Sequence, residues 1–87
     1  MERIEFYTDN GHGWLRVDEG MLSKLGIAER ISEYSYMNGS NVFLEEDVDA
    51  GIYIKAYEET HPDVKLDVVL YYEADSFVRR LARYEHS

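Results

Sequence analysis

The chain has no cysteine, so it can form neither a disulfide nor a thiolate metal site. It has one proline, Pro62, and no repeat, low-complexity tract or interdomain linker interrupts its 87 residues. Apolar runs stay well short of the roughly 18 residues that cross a bilayer. The chain opens without a leader pattern, since Arg3 runs into a mixed strand and not an apolar core. A membrane role is therefore not expected, and a reducing, cytoplasmic setting is. Bases are scarce, with 9 Lys and Arg against 18 Asp and Glu, for a formal charge of −9. Such a balance disfavours direct binding to nucleic acid or an anionic membrane, and it permits attraction to a basic protein surface.

The signatures of catalysis are also missing. The sequence contains no G-x-S-x-G elbow, P-loop or dinucleotide fingerprint. His12, His61 and His86 show no metal-ligand spacing, and no Ser, His and Asp set suggests a nucleophile. No catalytic residue, cofactor or metal is assigned, and the chain is not expected to be an enzyme.

What is present is a folding composition, 45% hydrophobic with eight tyrosines, three phenylalanines and one tryptophan. Its length makes one domain, residues 1–87. So many aromatics exceed what a small core can hide, which points to a homodimer.

Strand alternation runs through Ile4 and Phe6 against Glu5 and Tyr7. The turn cluster 9–13 then leads to a second strand with Trp14, Leu15 and Val17. Asp18 is placed to cap a short helix carrying Met21, Leu22 and Leu25. Gly26 and Ile27 fit the end of that helix as a Schellman motif with Leu22.

Asn38-Gly39 is a strong hairpin signal. A three-residue loop, 38–40, pairs Tyr36 with Val42 and Tyr34 with Leu44, gathering these four on one face. Next comes Glu45-Glu46-Asp47-Val48-Asp49, with four carboxylates in five residues. Asp47 or Asp49 is the expected cap of an amphipathic helix with Ala50, Ile52, Tyr53, Ile54, Ala56 and Tyr57 on one arc. That helix ends before Pro62. A strand over 64–72 follows, then a last helix capped by Asp75, with Phe77, Val78, Leu81, Ala82 and Tyr84 facing away from Arg79, Arg80 and Arg83.

The expected fold class is therefore α+β: a small antiparallel sheet of about four or five strands, with two or three helices on one face. The expected core is Phe6, Trp14, Leu15, Leu22, Leu25, Tyr36, Val42, Leu44, Ile52, Ala56, Val68, Leu70, Phe77 and Leu81.

Two stretches are candidate sites. Glu45, Glu46, Asp47 and Asp49 carry more charge than a helix cap needs, and carboxylates so placed can imitate phosphates in a basic groove. They are the expected partner-binding residues. His12 and Trp14, with glycines flanking the histidine, form a candidate ligand loop. A small enzyme would use His12 together with the acidic corner.

Gly11-His12-Gly13-Trp14-Leu15, Ile31-Ser32 with Tyr34-Ser35-Tyr36, and Leu44-Glu45-Glu46-Asp47 with Asp49-Ala50 together resemble a family of small bacterial and bacteriophage proteins. That family has no assigned biochemical role, so no functional residue carries over. The resemblance implies a mobile-element setting, in which small acidic proteins inhibit host nucleases or defence complexes in the anti-restriction or anti-CRISPR manner. The implied partner is a basic host protein or nucleoprotein complex, met without direct nucleic-acid contact.

The stretch from Trp14 to Glu46 also resembles the swapped-hairpin transcription factors of the AbrB type. That likeness implies a dimeric regulator. Those proteins carry a proline at the helix start and basic residues for DNA, where this chain has Asp18-Glu19.

Overall fold

Residues 2–86 are described by a computed structural model, in which the alternation around Ile4 builds β1 (Glu2–Thr8) and the stretch around Leu15 builds β2 (Gly13–Asp18). The two pair antiparallel, with Phe6 opposite Leu15 and Thr8 opposite Gly13. Helix α1 (Glu19–Lys24) starts on the Asp18 side chain, which accepts from the Gly20 N–H at 3.0 Å. It stops as the spacing predicts: Gly26 takes φ +70°, its N–H reaches Ser23 O, and Ile27 N–H reaches Leu22 O.

Strands β3 (Tyr36–Asn38) and β4 (Asn41–Glu45) form the central hairpin. Its loop is Gly39-Ser40, with Gly39 at φ +63° as first central residue, the glycine position of a type II′ turn. The register therefore differs from the expected one. Tyr36 pairs with Phe43 and Met37 with Val42, while Tyr34 lies outside the sheet and is 68% exposed. The reason is that both faces of the sheet are covered. Val42 and Leu44 face the helices together with Leu15 and Val17, whereas Phe43 and Tyr36 pack on the opposite side near Trp14. A rule that collects apolar residues on one face misplaces such a hairpin.

Helix α2 (Asp49–Thr60) buries Ala50, Tyr53 and Tyr57 against the first of these cores. It carries the chain across the sheet from β4 to β5 (Leu66–Tyr72), which pairs with β1 in parallel. The expected sheet was wholly antiparallel, and this pair corrects it. The chain reverses on entering α2 and again on leaving it, so β5 runs the same way as β4 and hence as β1. With β6 (Ala82–Arg83) beside β3, the order is β5-β1-β2-β4-β3-β6, a six-stranded mixed sheet in an α+β domain.

The expected last helix is one 3-10 turn, Phe77–Arg80, capped by the Ser76 hydroxyl and not by Asp75. It inserts Phe77 and Val78 over Trp14 and Phe43, closing the face away from α1 and α2. The expected core is buried or half-buried with two exceptions. Val68 is 48% exposed and Leu70 69%, because β5 is an edge strand and only Leu66 at its start packs against the helix-side core. Among the described residues no helix is long and apolar enough to cross a membrane.

Candidate functional site

The two stretches singled out in the sequence meet at one end of the sheet. Trp14 lies directly opposite Glu45 in the β2–β4 ladder, and the Glu46 N–H continues that ladder to Gly13 O at 3.1 Å. A groove of about 630 Å³ opens there, lined by His12 and Trp14, by 45–49, and by Tyr34, Tyr36, Arg79 and Arg83 among others.

The four carboxylates do different things. Glu45 is the helix cap. Its Oε1 accepts from Val48 N–H at 2.7 Å and Asp49 N–H at 2.8 Å, and its Oε2 from Asp47 N–H at 2.8 Å. One carboxylate thus satisfies three free donors and sits at the positive end of the α2 dipole. Neither Asp47 nor Asp49 caps, contrary to expectation; Val48 holds the N-cap position without a side-chain bond. Preferences for short capping side chains favour Asp, but here a longer Glu reaches forward from the end of β4.

Asp49 is fully buried, which removes it from any contact surface. Its Oδ2 accepts from Ser32 N–H at 2.9 Å, Ser32 Oγ at 2.7 Å and Ser35 Oγ at 2.6 Å. Ser35 Oγ in turn accepts from Glu45 N–H at 3.0 Å. This network ties the 32–35 loop, the end of β4 and the start of α2 into one knot, while Asp49 Oδ1 has no hydrogen-bond partner. Of the four, only Glu46 and Asp47 remain exposed, and neither has an ion pair among the described residues.

The opposite wall rests on Asp9, which the sequence marks only as part of the turn cluster 9–13. Its carboxylate accepts from Gly11 N–H at 2.9 Å and His12 N–H at 3.0 Å, shaping the loop that presents His12. It also pairs with Arg79 through two bonds, Nε at 2.5 Å and Nη2 at 2.9 Å. The Arg79 guanidinium, aided by these backbone donors, holds the Asp9 carboxyl far below the usual carboxylate range. An Asp accepting from the N–H two residues on is an Asx-turn, a signal available from Asp9-Asn10-Gly11. The Arg79 partner, 70 residues away, had none.

Arg79 then lies over the Trp14 ring at 5.4 Å, and Arg83 over the Tyr36 ring at 4.9 Å. Both arginines stay exposed while stacking on aromatic rings of the groove. His12 is exposed, with its ring 6.2 Å from that of Trp14. Among the described residues no three His, Cys, Asp or Glu side chains are grouped to hold a metal ion.

Gly13 keeps the wall thin. A Cβ there would stand 2.4 Å from Phe6 Cζ and 2.9 Å from Glu46 Oε2. Gly13→Ala should therefore cost roughly 1–3 kcal/mol by overpacking, measured by urea unfolding; an unchanged midpoint would mean that the Phe6 ring is free to move aside.

No family model, curated protein or solved structure matches the chain.

Proposed function

We propose that this chain is a protein-binding module whose groove receives a basic side chain of its partner. The observation that carries the reading is the division of labour in the acidic corner. Glu45 and Asp49 are consumed in building it, whereas Glu46 and Asp47 stand at the groove with no internal cation. Tyr34 and Val48, 68% and 60% exposed, flank them and offer apolar surface to the aliphatic stem of a Lys or Arg. On the opposite wall the Arg79 charge is matched by Asp9. Arg83 is the one further cation among the described lining residues, so the corner stays net negative. The overall charge of −9 adds long-range attraction for a basic partner.

The mobile-element resemblance supplies the partner class in this reading: a nucleic-acid-handling host protein, a nuclease or defence complex, whose phosphate-binding residues the carboxylates would occupy. An AbrB-type swapped dimer gains less support, because β2 already pairs with β1 and β4 of its own chain and needs no exchanged strand. An enzyme built on His12 gains less as well, since Asp49 is engaged by two serines and the neighbouring Glu45 by backbone donors.

Trp14 is the sole tryptophan and forms part of the groove lining, so its fluorescence reports occupancy. Titration with an arginine-rich peptide should give a saturable change that weakens with salt. Replacing both Glu46 and Asp47 by their amides should weaken it roughly tenfold while leaving the melting temperature nearly unchanged. An unaltered Trp14 signal up to millimolar peptide, or equal affinity in the amide variant, would remove the reading.

A further inference from the structure

The edge strand β5 has a chemistry of its own, remote from the groove. Its sequence, LDVVLYY, leaves Val68, Leu70 and Tyr72 exposed on the face that the helices cover elsewhere. Long apolar edges of this kind are usually blunted by charge, proline or a bulge, because their unpaired backbone groups template another strand. Here the central residues of β5 carry none of these.

The backbone parity of β5 is fixed. Lys65 O accepts from Glu2 N–H, and Glu73 N–H donates to Thr8 O, so the odd-numbered residues spend their groups on β1. In a parallel pair, alternate residues point away from the partner strand. The outward donors and acceptors are therefore those of Leu66, Val68, Leu70 and Tyr72.

We propose that β5 pairs antiparallel with β5 of a second copy about a two-fold axis at Val69, joining the two sheets into one. In this register Leu66 faces Tyr72 of the copy and Val68 faces Leu70, each as a hydrogen-bonded pair that uses the outward groups. Val69 faces Val69 across the axis as a non-hydrogen-bonded pair. Lys65 faces Glu73, giving one opposite-charge pair at each end. The neighbouring registers allowed by parity are worse. Centring on Leu70 sets Asp67 against Glu73, and centring on Val68 sets Lys65 against Tyr71 and loses the ion pair. In this register every even-numbered residue meets an apolar or aromatic partner, Asp67 faces Tyr71 on the other face, and a base meets an acid at each end; this complementarity of the strand to itself points to a second copy as the occupant. The proposal is independent of what the groove binds, and failure of either leaves the other standing.

Because the chain has no cysteine, Val69→Cys gives a clean test. Cα atoms of a non-hydrogen-bonded antiparallel pair lie about 4.5 Å apart, within disulfide reach. Mild oxidation should therefore convert Val69→Cys to a covalent dimer. Asp67→Cys should form no such cross-link, since two such residues would lie roughly 13 Å apart along the strands. Sedimentation of the unaltered chain at about 0.15 M salt, where repulsion between acidic copies is screened, should show dimer at concentrations up to about 100 μM. Lys65→Glu should weaken it roughly tenfold, and adding Glu73→Lys should restore it. A monomer at every concentration, or cross-linking of Asp67→Cys as fast as Val69→Cys, would overturn the proposal.

Discussion

Asp49→Ala should lower the stability of the domain by about 3 kcal/mol, the largest effect expected of any single substitution considered. Three donors converge on Asp49 Oδ2, two of them hydroxyls, and Ser35 is as fully buried as Asp49 itself. Truncation leaves those donors without an acceptor, the Ser35 hydroxyl fully buried and the Ser32 groups half-buried, and it empties the volume of the carboxylate. Each orphaned buried donor costs roughly 1–3 kcal/mol when water cannot replace its partner. The sum is held down because the 32–35 loop can relax. For a domain of this size the total stability is of the order of 5–10 kcal/mol, so the variant should melt roughly 10–20 °C lower. Asp49→Asn should cost less, since an amide oxygen can still accept, but its NH2 group takes the place of Oδ1, which has no partner. Thermal unfolding of the two variants separates the readings. A melting point for Asp49→Ala within a degree or two of the unaltered chain would mean that the network does not hold the corner together. As Glu45 is linked to the same network through Ser35, the loss should also loosen the start of α2 and reduce peptide binding in the groove.

Asp9→Asn should have the second largest effect, and its signature lies in pH. The folded carboxyl titrates far below its usual range, whereas in the unfolded chain it titrates near pH 4. Between those values the unfolded state binds the extra proton. The Asp9 contribution is therefore complete above about pH 4 and is lost progressively as pH falls towards the folded value. Protonation of the other carboxylates acts in the opposite sense at low pH by relieving the self-repulsion of an acidic chain. The informative quantity is thus the difference between the two proteins. Near neutral pH, Asp9→Asn should melt roughly 5–10 °C lower, because the two-point Arg79 pair is broken. Below about pH 4 the gap should narrow steadily as pH falls. A gap that persists unchanged from pH 7 to pH 2 would show that Asp9 acts through shape alone and not through its charge. Loss of Asp9 also frees the Arg79 guanidinium at the groove wall, so the basic-peptide signal from Trp14 should weaken in this variant as well.

Local chemistry was legible from the sequence wherever a residue's partner lies within a turn or two of the chain. Asp18 and Gly26 begin and end α1 as their spacing predicts, and Pro62 follows the end of α2. The alternation of β1 and the periodicity of α2 established an α+β domain, and net charge established the sign of the surface. His12, Trp14 and the acidic run were visible as unusual residues. Their meeting in one groove was not, because it depends on the β2–β4 pairing that sets Trp14 beside Glu45.

What tertiary structure alone decided is everything that joins distant segments. Asp9 and Arg79 are 70 residues apart, and no propensity links them. The parallel β1–β5 pair follows from the path of α2 across the sheet, and the hairpin register from the covering of both faces, the second by Phe77 and Val78. The same distinction separates the four carboxylates. Their composition is identical in kind, but burial against Ser32 and Ser35 makes Asp49 a structural pivot, and reach makes Glu45 a cap. Position at the groove leaves Glu46 and Asp47 exposed. A sequence records which charges are present; the folded chain decides which of them water can still reach.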